Sequence, residues 1–314
     1  MQIKYFLGPM SKNVVDSIIE YSSPHIGFIP SRRQVDYNGG YVNQWTTEQF
    51  SNYVNNIVVI ERDHGGAAQG YKDDDGYKSY ECDAKNFDII HIDPWKKYLN
   101  FWDGVDETLK AMNFIYDINP RILFEVGTEE AIRKFTSNEL NILLRTASEF
   151  EFFDNIKYAV VQSGVDINLG KRTNIGKYDK SRLNKFIDVC KYWGVLSKEH
   201  NGDYLTKHEI EEKFNVGLDS INIAPELGQI ETLCYLEEMG DNIEDYYTIC
   251  YDSGRWKKWV DKNFIPEDNK KELIEICGHY VLSDDRFLKI KPDIDDKIKS
   301  SIKNKLKSMV GGKK

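Results

Sequence analysis

The 314-residue sequence has no apolar run of the about 20 residues that a bilayer-spanning helix needs. Its N-terminus lacks the basic, apolar and small-residue layout of a secretory signal, so a cytoplasmic protein with no membrane partner is expected. Cysteine is sparse. Cys82, Cys190, Cys234, Cys250 and Cys277 never fall in C-x-x-C spacing, which excludes a zinc ribbon or a disulfide framework and predicts reduced, mostly buried thiols. Positive charge is also short: 42 Lys and Arg stand against 51 Asp and Glu, for a net charge of −9. Nucleic acid is therefore not an expected partner, because neutralising phosphates takes a clustered basic surface. The one basic stretch, Lys297–Lys314, reads as a solvated, mobile tail. Several catalytic signatures are missing as well. Gly8-Pro9-Met10-Ser11 follows the first apolar run where a dinucleotide fold would carry G-x-G-x-x-G. No P-loop, no Ser-His-Asp order and no cysteine nucleophile with a placed histidine is present.

What remains is the composition of a soluble globular protein, with 40% hydrophobic and 30% charged residues. Aromatic residues at 13% predict an aromatic core and an aromatic-lined cleft. Eight short apolar runs punctuate the chain: Ile3–Leu7, Ile26–Ile29, Ile57–Ile60, Phe87–Ile92, Ile122–Val126, Tyr158–Val161, Gly194–Leu196 and Ile221–Ile223. Each is continuous rather than alternating, as expected of parallel strands covered on both faces. Helical segments are predicted between them, over Val14–Tyr21, Thr47–Asn55, Val105–Asp117, Ser137–Phe153, Lys180–Tyr192, Lys207–Phe214 and Gln229–Met239. Start signals stand at Thr46-Thr47-Glu48-Gln49, Ser137-Asn138-Glu139 and Thr206. Eight strands with interleaved helices predict an α/β fold, a (β/α)₈ TIM barrel over 1–240. Beyond it, 241–314 reads as a helical C-terminal extension packed on the barrel, ending in Gly-Gly-Lys-Lys.

In a barrel, residues just past each strand face the active site. Here they are polar: Ser31 to Gln34, Glu61 to His64, His91 and Asp93, Glu125 and Glu129, Gln162 and Asp166, Lys198 to His200, Glu226 and Gln229. Taken singly each has an ordinary reading. His64 suits a loop hydrogen-bonder, His91 a core histidine, Asp63 a helix cap, Arg32-Arg33 a solvated pair. His25, His208 and His279 lie off the strand ends and read as structural. The coincidence on one face is what carries weight. Two imidazoles and a carboxylate are an ordinary ligand set for Zn²⁺ or a similar ion, and His64, His200 and either Asp166 or Glu125 would close one. A second reading makes Lys198 a Schiff-base lysine, but Glu199 beside it would raise its pKa.

Several of these segments resemble, in order, the Z-type subunit family (GatZ/KbaZ) of class II D-tagatose-bisphosphate aldolase. The pieces are Gln34 with Gly39-Gly40-Tyr41, Asp63-His64, Ile90-His91-Ile92-Asp93, Gly127-Thr128-Glu129, Val160 to Asp166, and Lys198 to Tyr204. Trp256-Lys257-Lys258-Trp259 and Tyr280 to Asp284 resemble the family's closing segments. Through the wider class II aldolases, the resemblance implies Asp63 as the catalytic acid and His64, Asp166 and His200 as ligands of a divalent metal, Zn²⁺ first. Glu125 and Glu226 are expected as catalytic helpers. Arg32 and Arg33 are expected to anchor the substrate's anionic end, since guanidinium groups bind phosphate bidentately. Gln34, Gln162, His91 and Asp93 complete the expected substrate contacts. Two departures bear on the substrate. The Gly-Gly-Ser-Gly phosphate loop of the fructose enzymes is absent after the seventh strand, and Ala224-Pro225-Glu226-Leu227 replaces the family's Gly-Pro-Ala-Leu. Lys171-Arg172 offer positive charge elsewhere.

The expected activity is metal-dependent cleavage of a ketose phosphate, such as tagatose bisphosphate, by a retro-aldol reaction. The alternatives are 4-epimerisation by the same chemistry, and a non-catalytic subunit that stabilises a separate aldolase. A pure sugar-binding module ranks last. The expected partners are a small sugar phosphate, a second aldolase subunit under the accessory reading, and further copies of this chain in a homo-oligomer with the extension as a candidate interface.

Overall fold

The computed structural model describes residues 2–70 and 73–310. The parallel strands are β1 (Tyr5–Leu7), β2 (Ile26–Phe28), β3 (Glu61–Gly65), β4 (Ile89–Ile92), β5 (Leu123–Val126) and β6 (Ile156–Val161). A two-residue hairpin, β7 (Ile167–Asn168) with β8 (Thr173–Asn174), interrupts the series before β9 (Leu196–Glu199) and β10 (Ser220–Ile223). The eight parallel strands run in the order β2-β1-β10-β9-β6-β5-β4-β3. Bridges Phe28↔Ile60 and Ser31↔Asp63 then bring β2 against β3, so the sheet closes on itself as an α/β barrel.

Crossover helices α1 (Lys12–Tyr21), α2 (Thr47–Val54), α3 (Tyr77–Asn86), α4 (Phe101–Ile118), α5 (Ser137–Ala147), α6 (Lys180–Trp193), α7 (Lys207–Val216) and α8 (Pro225–Met239) surround it. Thr46, Thr136 and Thr206 each form a capping box with a Gln or Glu three residues on, which fixes where α2, α5 and α7 begin. The cap of α5 is Thr136, one residue before the predicted start. Helix α3 carried no predicted signal. Its N-cap is Gly76 rather than a hydroxyl or carboxylate, and its sequence is polar.

Two strands sit later than their apolar runs. Gly194 is the left-handed C-cap of α6 (φ 72), so β9 begins only at Leu196 and takes in Lys198 and Glu199. In the same way β3 is Glu61-Arg62-Asp63-His64-Gly65, not Ile57–Ile60. Both strands carry charge because side chains of a closed barrel alternate between the helix layer and the barrel interior. The interior starts with an apolar layer of Phe6, Ile29, Ile89 and Tyr158. Above it the filling turns polar.

Beyond the barrel, α9 (Glu244–Ser253), α10 (Lys270–Cys277), α11 (Asp285–Ile290) and α12 (Asp295–Val310) follow. They are not a loose appendix. Ile298, Ile302, Leu306 and Met309 of α12 are buried in the same hydrophobic cluster as Leu7, Val14 and Ile18. The expected solvated tail is therefore corrected up to Val310, because every third or fourth residue of the basic segment is apolar. Gly311 to Lys314 lie outside the described residues. All five cysteines are free thiols, and all but Cys82 are buried.

Leu306 is fully buried, so Leu306→Ala is expected to lower stability by about 3 kcal/mol. Denaturant unfolding should remain one transition that shifts as a whole. A loss of less than about 0.5 kcal/mol, the range of surface substitutions, would mean that α12 contributes little to the core.

Candidate functional site

A triad of charges floors the site. Lys198 Nζ, fully buried, lies 2.6 Å from Glu61 Oε2 and donates to Glu125 Oε2 at 2.9 Å. It also sits 3.8 Å from the centroid of the Phe6 ring, on the apolar layer below. Burial pushes the Glu61 carboxyl well above its ordinary range. Burial acts on Glu125 too, but Lys198, His91 and His200 outweigh it and hold that carboxyl well below. An ammonium enclosed by two carboxylates beneath the site gives no support to the Schiff-base reading of Lys198.

One layer higher, Asp63, His64, His91 and His200 each offer an atom, and the four atoms lie within 4.8 Å of one another. Backbone irregularity creates this meeting. The β3–β4 register shifts between Arg62 and Gly65, and His64 takes a left-handed conformation at φ 44. Such a bulge re-aims side chains, here into the barrel mouth. Gly65 must follow, since a Cβ there would stand 2.6 Å from the Tyr80 ring and 2.7 Å from the His91 carbonyl oxygen. His200 comes from the end of β9, two residues past Lys198 on the same face, and His91 from β4 in register with Glu125.

Each imidazole has its outer nitrogen held. His64 Nδ1 lies 2.5 Å from Asp93 Oδ2, His200 Nε2 lies 3.1 Å from Glu125 Oε1, and His91 Nε2 lies 3.0 Å from the Gly127 carbonyl oxygen. The other nitrogens of His64 and His200 face Asp63 Oδ1, at 3.5 and 3.7 Å. That oxygen is buried with no hydrogen-bond partner among the described residues. Partners behind the rings and an orphaned carboxylate oxygen in front are what a divalent cation requires, so this donor set fits one. Burial alone would lower the His64 pKa, but Asp63, Asp93 and Glu129 outweigh it and raise it to about 10. His91 is pushed down to about 4, mainly by burial, and is neutral.

The other expected site residues fall into two groups. Asp93 and Glu125 are near but behind, each gripping a histidine, and both are fully buried. The rest are elsewhere. Asp166 is exposed beside the β7–β8 hairpin and lines a separate hollow of about 500 Å³ with Lys134 and Arg182. It is not brought to the histidines, which cluster with Asp63 instead. The Arg32 guanidinium is consumed by Asp36, Asp74 and the Gly66 carbonyl. Gln34 closes a turn by accepting from Ser31 N, and Gln162 ties Phe135 N to the Thr128 and Arg133 carbonyls. Glu226 accepts from Tyr204 N and pairs with Lys305 at the start of α8. Arg172 faces Glu275 on the surface. Arg33 alone of the expected anchors lines a cavity, of about 310 Å³, with Arg255, Lys258 and Tyr280. Glu61 and Glu129 stood among the polar strand-end residues but were assigned no role. Glu61 is the second carboxylate on Lys198, and Glu129 approaches His64 Nε2 at 3.9 Å.

No protein-family model matches the chain, and no curated protein matches it in sequence. Solved structures do resemble it. A probable tagatose 6 phosphate kinase from Sinorhizobium meliloti 1021 superposes with TM-score 0.73 at 15% identity, covering 98% of this chain and 99% of that one. The YdjI aldolase from Escherichia coli K12 gives 0.57 at 13% identity, covering 98% and 91%. The fructuronate-tagaturonate epimerase UxaE from Cohnella laeviribosi gives 0.63 at 9% identity, covering 99% and 80%. At these identities the likeness speaks for the fold.

In metal-free protein, the His64 ring is expected to keep its second proton up to about pH 10, and His91 to stay neutral down to about pH 4. Side-chain ¹⁵N NMR titration reads both. Midpoints for both rings near the ordinary value of about 6.5 would contradict this electrostatic account.

Proposed function

We propose that the histidine cluster holds a divalent cation, Zn²⁺ first, and that the chain is a sugar-phosphate enzyme of the class II aldolase type. The observation that carries this reading is the convergence of three imidazoles, His64, His91 and His200, whose ligand atoms lie within 4.8 Å of one another and of an Asp63 oxygen. His64 Nε2, His200 Nδ1 and His91 Nδ1 are the assigned ligands, the last exchanging its 3.3 Å hydrogen bond from His64 N for the metal. His91 replaces Asp166 in that role. A cation there would supply Lewis acidity toward the carbonyl of a bound ketose.

The protein's own part follows from the geometry. Asp93 and Glu125 hold the rings of His64 and His200 in the tautomers that direct a lone pair inward. Asp63, at the mouth with its side chain 16% exposed, can take the proton from a substrate hydroxyl as the adjacent C–C bond breaks, and return it on resynthesis. Glu125 acts through His200 rather than on substrate, and Glu226 has no part in the proton transfer. Retro-aldol cleavage of a ketose phosphate and 4-epimerisation share these steps. They differ in whether one fragment leaves or turns and recombines. The epimerase reading is supported by the Cohnella epimerase, which superposes over 99% of this chain.

The test is metal analysis of the purified protein together with a panel of ketose phosphates, tagatose bisphosphate included, following both triose phosphate release and epimer formation. About one ion per chain is expected, and His64→Ala and His200→Ala should lose it. Asp63→Ala should keep the ion and lose activity by about 10²–10⁴-fold, the usual contribution of a positioned acid or base. Equal metal content in all proteins would sink the ligand assignment, and activity surviving both chelator and Asp63→Ala would sink the mechanism. A metal-loaded protein inert across the panel that co-purifies with a second barrel subunit would favour the accessory role.

A further inference from the structure

The cavity that holds Arg33 has a composition the proposed metal chemistry does not use. Its wall joins the loop after β2, which supplies Arg33, to a short 3₁₀ turn of the C-terminal extension, Arg255–Lys258. Arg255 lies over the rings of Tyr41 and Tyr280, at 5.0 and 5.3 Å from their centroids. Lys258 Nζ lies 4.2 Å from the centroid of Trp259. Aromatic faces thus position both cations. Lys257 and Lys258 lie over the rings of Trp256 and Trp259, in a chain that as a whole carries excess acid. Lys258 is open to solvent in the pocket, with protein crowding its other sides. That crowding, and then the charge of Arg33, pushes its amine down to about 8, with Lys96 and Arg255 adding to the effect and Glu129 opposing it.

The cavity is linked to the histidine cluster through residues adjoining both. Arg32, next to Arg33, donates to the Gly66 carbonyl just beyond His64. Gly70 lines the cavity, and its neighbour Gln69 donates to Asp93, the residue that grips His64. Glu129, the acid acting on Lys258, is the carboxylate 3.9 Å from His64.

We infer that Arg33, Arg255 and Lys258 form the subsite for the phosphate of a ketose phosphate, so that the C-terminal extension anchors the substrate's anionic end. The inference rests on the proposed reading of the histidine cluster for what the sugar does, but not for the binding of the anion. A dianionic phosphomonoester fits better than a carboxylate, because two guanidinium groups and an ammonium converge where one would serve a single negative charge. The cavity stands in for the missing glycine-rich loop. Binding energy gained there, remote from the reacting carbons, can be used to orient them over Asp63.

The experiment uses the full chain stripped of metal and titrated with inorganic phosphate, dihydroxyacetone phosphate, dihydroxyacetone and acetate by calorimetry. Phosphate and dihydroxyacetone phosphate are expected to bind saturably and compete, and acetate and dihydroxyacetone to bind at least about tenfold more weakly. Arg33→Gln and Lys258→Met should each weaken phosphate about tenfold, the loss of one charge-assisted contact. Lys258→Arg should retain it, and His64→Ala should leave it unchanged. Should Arg255→Ala unfold for want of its stacking on Tyr41 and Tyr280, the other two variants still decide the matter. Absence of saturable phosphate binding, acetate binding as tightly as phosphate, or indifference to all these variants would overturn the inference. Phosphate binding without metal binding would count against the histidine cluster alone, and the converse against the cationic cavity alone.

Discussion

One ammonium group, buried on the barrel axis, sets the geometry above it. Lys198 reaches from β9 to carboxylates on β3 and β5, so three strands that are not all neighbours are tied through a single nitrogen. Removing Lys198 or Glu125 would leave charge uncompensated in a dry interior, the situation buried ion pairs tolerate worst. Glu125 then spends its second oxygen on His200, so the same carboxylate that balances the lysine also orients a histidine. The site is thus built on the filling of the barrel rather than on its loops.

The departures from regular geometry concentrate beside that floor. His64 is held in a backbone region that non-glycine residues seldom enter, within a register shift, and next to a glycine that admits no side chain. Strain of this kind persists only where the surroundings enforce it. Here the enforcement is visible: Asp93 clamps the ring, Gln69 clamps Asp93, and the buried Arg62–Asp83 pair braces the strand from behind.

Much of this was legible in the sequence and some was not, for physical reasons. Continuous apolar runs located the strands whose flanks are both covered, and threonine caps marked the starts of α2 and α7. The rule failed at β3 and β9, where inward positions carry charge that the floor of the site needs. Asp63, His64 and His200 were recognisable by their place at strand ends. His91 was expected among the substrate contacts, and its alternation with Ile89 on β4 places it on the interior face, beside His64 and His200. Asp166 was misled by its colinear segment, because no periodicity marks the short β7–β8 hairpin that carries it outward. Arg255 and Lys258 could not be placed by any local signal, since only the fold of the extension brings them beside Arg33.

The last described helix has a consequence for how the molecule comes into being. Tyr5 in the first strand donates its hydroxyl to the carbonyl of Met309, across a sequence separation of 304 residues. During synthesis β1 must therefore wait, one flank bare, until the far end of the chain has emerged. Contacts of such range make for slow closure, and the half-built barrel passes through a period when its first strand offers an uncovered apolar face.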